Sequence, residues 1–214
     1  MVEIKSGVLK DAKGQYKGMV IFQKGKKTFG RALPSYDGNA GSATRAAQNA
    51  RMAAVVTLYQ SIKKTYLYDT WRMEATRKEI ISGYNLFIQT NLQAYNANYS
   101  TGDFRLLHLT LGTLQIPFQM WQQEAPAGMI SLIWETTPWS SDRRNKDELA
   151  LAVIYDNEPF RVEIIDHTGT TRADGRTLIP LENPSAREAH VYAFFMNQEK
   201  DKFTNSIYFN VQLK

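Results

Sequence analysis

Two periods of apolar residues divide the chain. From residue 42 to about 96 the repeat is three to four residues, and from 104 onward it is two. In the stretch SATRAAQNARMAAVVTLYQSIKKTY (42–66), Ala47, Ala50, Ala54, Leu58 and Ile62 recur at helical steps and share one face. Val55, Tyr59 and Tyr66 widen that stripe, while Arg45, Gln48, Arg51, Gln60 and Lys63 lie largely outside it. A helix this long and this one-sided has to lay its apolar face on something, so it is expected to be the element around which the rest is arranged. Ser42 or Thr44 supplies an N-cap oxygen. Asp69 caps a second segment running through Trp71, Met73 and Ile80. Ser82-Gly83 interrupts it, and Tyr84, Phe87, Ile88, Asn91, Leu92 and Tyr95 form a third stripe. The reading is two or three helices packed as a hairpin or small bundle.

The period-two segments begin with Phe104, Leu106 and His108 alternating with Arg105, Leu107 and Leu109. Then come Ile130, Leu132 and Trp134; Leu149, Leu151, Val153 and Tyr155; and Phe160, Val162 and Ile164. Stretches 177–181, 190–196 and 207–213 complete seven short strands, separated by turn signals such as Asp174-Gly175 and Asn183-Pro184. That number and spacing suit an Ig-like antiparallel β-sandwich, and the fragment 125–214 is expected to fold alone.

At the other end, residues 1–34 read as an extended arm and hairpin. Strand-like runs at 17–24 and 26–33 are separated by Gly25 and closed by Pro34, and a turn-rich link, SYDGNAGS, leads to the first helix. Apolar residues are few there (Met19, Val20, Ile21, Phe22, Phe29, Leu33), and a lone hairpin is marginal in water, so this one is expected to pack on another element or another subunit. The fold class is therefore α+β. It comprises a basic hairpin arm and linker (1–41), a helical module (42–100), a connecting strand and linker (101–125) and a β-sandwich (126–214).

Composition sharpens this only in places. The 214 residues are 43% apolar and 12% aromatic, enough for a real core, and hold no cysteine. That excludes disulfides, thiolate nucleophiles and Cys-based metal sites together. The start, MVEIKSGVLK, has an acid at Glu3 and no apolar run, so the expectation is cytoplasmic synthesis without a secretory signal. No run approaches the roughly 18 apolar residues of a membrane span. The net charge of +5 is uneven: residues 1–80 carry a net of +9 and residues 81–214 a net of −4. A basic front half suits nucleic acid or an acidic protein surface.

Candidate chemistry is sparse. His108, His167 and His190 are far apart and show no metal-ligand spacing, and Asp166-His167-Thr168-Gly169 is good turn chemistry. There is no GxSxG elbow, P-loop or GxGxxG. Carboxylate pairs, Asp147 with Glu148 and Glu163 with Asp166, read as solvated surface charge. No catalytic residue, cofactor or metal is assigned, and an enzyme is the class least expected. The candidate contact residues are in the arm, where Lys13, Lys17, Lys24, Lys26, Lys27 and Arg31 flank Tyr16, Phe22 and Phe29. Interleaved cations and aromatics can contact phosphates and stack on bases. They can equally clamp a neighbouring subunit, with lysines keeping strand edges soluble, or form a surface hairpin without a partner.

Two resemblances follow from these residues. Residues 126–214, with Trp134 in an early strand, Tyr192 in the penultimate one and a Thr-Asn-Ser turn at 204–206, resemble a fibronectin type III-like domain. The whole chain resembles an uncharacterised family of Bacteroides-type bacteria and their phages and prophages. This second likeness rests on the MVEIKSGVL start, the hairpin ending Arg31-Ala-Leu-Pro34, and the Thr44…Gln48…Arg51 helix start. It also rests on Asn85-Leu-Phe87…Asn91 and the closing Asn205-Ser-Ile-Tyr208. The chain departs from that family in having fewer glycines in the hairpin and Ala46-Ala47 beside the Gln. The resemblance implies a phage-associated or mobile-element structural protein, a virion component among the options, and brings no catalytic residues. The expected function is a non-enzymatic assembly protein docking through its arm and helices onto protein subunits, as a homo-oligomer or larger assembly. The alternatives are a nucleic-acid-binding protein using the basic region and a ligand- or glycan-binding module using the sandwich loops.

Overall fold

The computed structural model describes residues 2–5, 7, 12–24, 26–33, 42–136 and 142–213. The fold is α+β. In chain order the strands are β1 (Val2–Ile4), β2 (Gly14–Tyr16), β3 (Met19–Lys24) and β4 (Lys27–Ala32). Helices α1 (Ala43–Ile62), α2 (Leu67–Arg77) and α3 (Gly83–Asn91) follow. Then come β5 (Met120–Gln123), β6 (Met129–Trp134), the short α4 (Asp142–Asn145), β7 (Glu148–Tyr155), β8 (Glu163–Ile165), β9 (Arg176–Pro180), β10 (Glu188–Met196) and β11 (Ile207–Gln212). All three sheets are antiparallel, with orders β1-β4-β3-β2, β11-β10-β7-β8 and β5-β6-β9. The chain forms two compact units, Met1–Ser42 and Ala43–Lys214. Among the described residues no helix is long and apolar enough to cross a membrane.

The second unit is organised around β7 and β10, not around α1. Both strands are buried along almost their whole length, which is why ELALAVIY and EAHVYAFFM read as nearly continuous apolar runs. Alternate side chains serve different cores. Leu149, Leu151, Val153, Val191, Ala193 and Phe195 face Ile130, Leu132, Trp134 and Ile179 of the three-stranded sheet. Trp134 meets Phe195 edge-on at 5.4 Å. Ala150, Ala152, Ile154, Tyr192, Phe194 and Met196 face the other way, into a core shared with the helices. The helices and the strands of 43–214 are thus layers of one body.

In α1 the apolar stripe is buried only in its second half. Ala54, Val55, Leu58, Tyr59 and Ile62 are buried, whereas Ala47 and Ala50 are half-exposed and the other residues of the first three turns are exposed. Ser42 occupies the position before the helix. Asp69 does not cap α2: Tyr66 holds that position, and Asp69 sits within the first turn, where its carboxylate favours the helix dipole. Ser82 caps α3, accepting from the Asn85 amide at 3.2 Å. Gly83 is required next, because a Cβ there would lie 2.9 Å from the backbone of Trp71 and Arg72. That close approach lets Trp71 and Phe87 meet edge-on at 4.8 Å.

The strand expected at 104–109 does not form. Residues Phe104–Leu106 make a 3₁₀ turn, and the chain beyond them is extended without a ladder. Its backbone partners are side chains and a turn instead. Asn91 holds His108, Ser206 Oγ accepts from the Leu109 amide at 3.1 Å, and Asn205 Oδ1 accepts from the Gly112 amide at 3.1 Å. Gly112 packs so tightly on Phe203 that a Cβ would fall 2.0 Å from its carbonyl oxygen. The strand that joins β6 is β5, in a segment that shows little alternation.

Two further expectations change. Strand β8 is shorter than 160–165, because Phe160 stacks on Tyr95 at 6.4 Å and the Val162 amide donates to Ser61 Oγ of α1 at 2.9 Å. Asp147 is not a solvated charge. It is 2% exposed and paired with Arg172 at 3.2 Å, while the guanidinium lies 4.6 Å over the Phe195 ring. Burial lowers the Arg172 pKa and raises that of Asp147, against their mutual attraction.

Candidate binding face of the N-terminal sheet

The first unit is a four-stranded sheet rather than a hairpin arm. The strand expected from residue 17 starts at Met19, because Lys17 and Gly18, with φ of 43° and 78°, form the turn joining β2 to β3. A two-residue turn with both φ positive matches the twist of the flanking strands. The expected break at Gly25, the stop at Pro34 and the link 35–41 lie outside the described residues.

Register decides which candidates share a face. Phe22 lies opposite Phe29, which in turn lies opposite Glu3; Lys24 lies opposite Lys27, and Val20 opposite Arg31 and Gln15. All point to one side of the sheet, since directly paired residues and their neighbours two along share a face. The two half-buried Phe rings stack at 5.9 Å with 27° between their planes. Lys24, Lys27 and Arg31 are exposed around them. Like charges directly opposite, as at Lys24 and Lys27, repel, and Glu3 offsets one of them with an ion pair to Lys27 at 3.5 Å.

The remaining candidates go elsewhere. Tyr16 lies opposite Met19, which in turn lies opposite Ala32, on the other face, with Ile21 opposite Gly30 in the next row. That second face holds the unit's own small core: Ile21 is 3% exposed, Thr28 is buried, and Gly30 leaves room for the Met19 methyl, which a Cβ would approach to 2.9 Å. Lys17 stays with Tyr16, its ammonium 5.5 Å from the ring. Lys26 is exposed in the β3–β4 turn and Lys13 is exposed ahead of β2. The structure therefore brings together Phe22, Phe29, Lys24, Lys27 and Arg31, and separates them from Tyr16, Lys17, Lys26 and Lys13.

Three members of this face were not singled out by their sequence. Val20 and Gln15 extend it, and Glu3 places one carboxylate among the cations. The residue missed in every single-stretch reading is Glu3, because only the pairing of β1 with β4 carries it there. Chemically the face offers an apolar, stackable pair and three exposed cations, suited to an acidic surface with an apolar centre.

The histidines lie in the other unit and do not converge. His190 is buried, stacked on Phe104 at 3.5 Å and bonded through Nδ1 to the Tyr208 hydroxyl at 2.9 Å. His108 is half-buried, and its Nδ1 has no partner. Burial lowers both pKa values. His167 is exposed beside Asp166, 3.5 Å away, ahead of Gly169 at φ 64°. Comparison of the chain with protein-family models, with curated proteins and with solved structures found no match.

Proposed function

We propose that this is a non-enzymatic structural or assembly protein that docks through the Phe22–Phe29 face of its N-terminal sheet. The observation that carries the reading is the stacked aromatic pair, half-buried and rimmed by Lys24, Lys27 and Arg31, in a compact unit of its own. That unit holds eight Lys/Arg against three Asp/Glu, so the whole net charge of +5 belongs to its 42 residues, while 43–214 is balanced at 18 and 18. An aromatic centre with a cationic rim is the composition of a protein-docking patch. The second unit is proposed to be a fibronectin III-like sandwich clad in helices. In support, its sheets have three strands, β5-β6-β9, and four, β11-β10-β7-β8, around one shared core. A place in a phage particle or mobile element rests on the resemblance in the sequence alone.

A nucleic-acid-binding reading uses the same face, because ring pairs flanked by cations also stack bases and contact phosphates. Reversing charge in the full chain (Lys24→Glu, Lys27→Glu, Arg31→Glu) separates the two. Docking on protein predicts that the variant loses self-association at unchanged melting temperature, and that the parent binds oligonucleotides weakly at physiological salt. Tight binding to an oligonucleotide that falls steeply and log-linearly with salt, at an oligomeric state the variant does not alter, overturns the docking reading.

A further inference from the structure

At one side of the second unit, β8 and β9 end their sheets. Strand β8 pairs only with β7 and β9 only with β6, so their outer edges carry no ladder partner among the described residues. Between them lies a groove of about 280 Å³; a second hollow, of about 320 Å³, shares His167 and Thr168 with it. The groove is lined by Glu163 and Glu182 and the second hollow by Glu148 and Asp166, with no Lys or Arg among the lining residues. Glu148, Glu163 and Glu182 have no cationic partner among the described residues; Asp166 has His167 at 3.5 Å and lies close enough to Tyr66 to act on its hydroxyl.

Glu163 is aimed inward. It lies opposite Val153, as Ile165 lies opposite Leu151, and both partners belong to the core between the two sheets. A carboxylate pointing inward from an edge strand also guards that edge against indiscriminate strand pairing. Close to Glu163 and Glu182 is the hydroxyl of Tyr155, a residue 2% exposed, and this hydroxyl has no hydrogen-bond partner. Burial and these two carboxylates push its pKa up to about 12. The half-buried Glu163 and exposed Glu182, beside a hydroxyl without a partner, leave this groove with negative charge and no cation. Leu178, 52% exposed, gives its rim an apolar patch.

We infer that this groove receives the N-terminal sheet of a second copy of the chain, Lys24, Lys27 and Arg31 meeting Glu163 and Glu182, and the Phe22–Phe29 pair meeting Leu178. The inference rests on the docking reading above and adds the partner. The argument is charge complementarity: one unit holds all of the net positive charge, and the groove holds carboxylates without cations. Face and groove are different surfaces, so the contact is head-to-tail, the geometry that closes into rings or propagates as filaments.

The test is a charge swap in the full chain. One variant carries Glu163→Lys and Glu182→Lys; the other carries Lys24→Glu, Lys27→Glu and Arg31→Glu. Each alone is expected to lose self-association by about a hundredfold or more, as opposed charges at a contact become like charges. Mixing the two restores it, because each then offers the surface the other lacks. Circular dichroism melts of both variants show that the fold is retained, and Glu163→Gln with Glu182→Gln, free of any new charge, is expected to weaken association without abolishing it. Association of the Glu163→Lys/Glu182→Lys variant at parental strength, with loss confined to the lysine and arginine variant, overturns the groove but leaves the docking reading standing. A parent chain that stays monomeric at all concentrations overturns both.

Discussion

The side-chain amide of Asn91 pairs with the backbone of His108 as a neighbouring strand would. Its Oδ1 accepts from the His108 amide at 2.7 Å and its Nδ2 donates to the His108 carbonyl at 3.2 Å. Nδ2 also donates to the Phe87 carbonyl at 3.2 Å, and the residue is wholly buried. One side chain thus ties α3 to the extended segment that runs on to the turn at 204–206.

Replacing Asn91 by Ala strands these buried backbone groups, each lost partner costing about 1–3 kcal/mol. The expected loss is roughly 2–5 kcal/mol in urea unfolding, with Asn85→Ala, on the exposed side of α3, nearly neutral. Equal midpoints for the two variants would refute the clamp.

The fragment 125–214 is expected to fail to fold alone, contrary to what strand spacing suggested. It lacks β5, and without the helices it exposes Ala150, Ala152, Ile154, Tyr192, Phe194 and Met196 along the central strands. Burying one large apolar side chain is worth about 1.5–3 kcal/mol, so uncovering this face removes more than a domain's usual margin. A broad, non-cooperative melt with binding of a hydrophobic dye is the predicted result; a sharp, β-rich transition contradicts it.

Acid should weaken the fold in two steps. Burial holds His108 and His190 below the ordinary histidine pKa, so the unfolded chain binds their protons first. Stability then falls as pH drops from about 6.5 toward the folded values. Glu74, Asp103 and Asp174 form a second set, held low by hydrogen bonds from Arg77, Arg105 and Thr171 respectively. Their contribution is present above the ordinary carboxylate range, near pH 4, and is lost as pH falls through the depressed values. Melting temperatures measured from pH 8 to 4 should decline below about pH 6.5, and His108→Gln with His190→Gln should flatten that first decline. A profile flat down to the carboxylate range would contradict the assignment.

Much of the architecture was legible because it is written in local periods. The last two turns of α1, the β3 and β4 runs and the alternation around Ile130, Leu132 and Trp134 all carry it. What was not legible depends on partners distant in sequence. Residues 104–109 alternate like a strand, yet their backbone is claimed by Asn91, Asn205 and Ser206, which no pattern within the segment announces. The continuous burial of β7 and β10 reveals two covered faces, but not that helices supply one cover. Within the candidate face, cations and aromatics were visible as types. Which of them share a side follows from the register in which β3 pairs with β4 and with β2.

The docking claim is tested most directly by light scattering on the full chain and on a chain lacking residues 1–42, over a range of concentrations. The account predicts that the full chain rises to a multiple of its monomer mass, while the shortened chain stays monomeric at any concentration with the melting temperature of its helices and sheets unchanged. The same mass for both would contradict it.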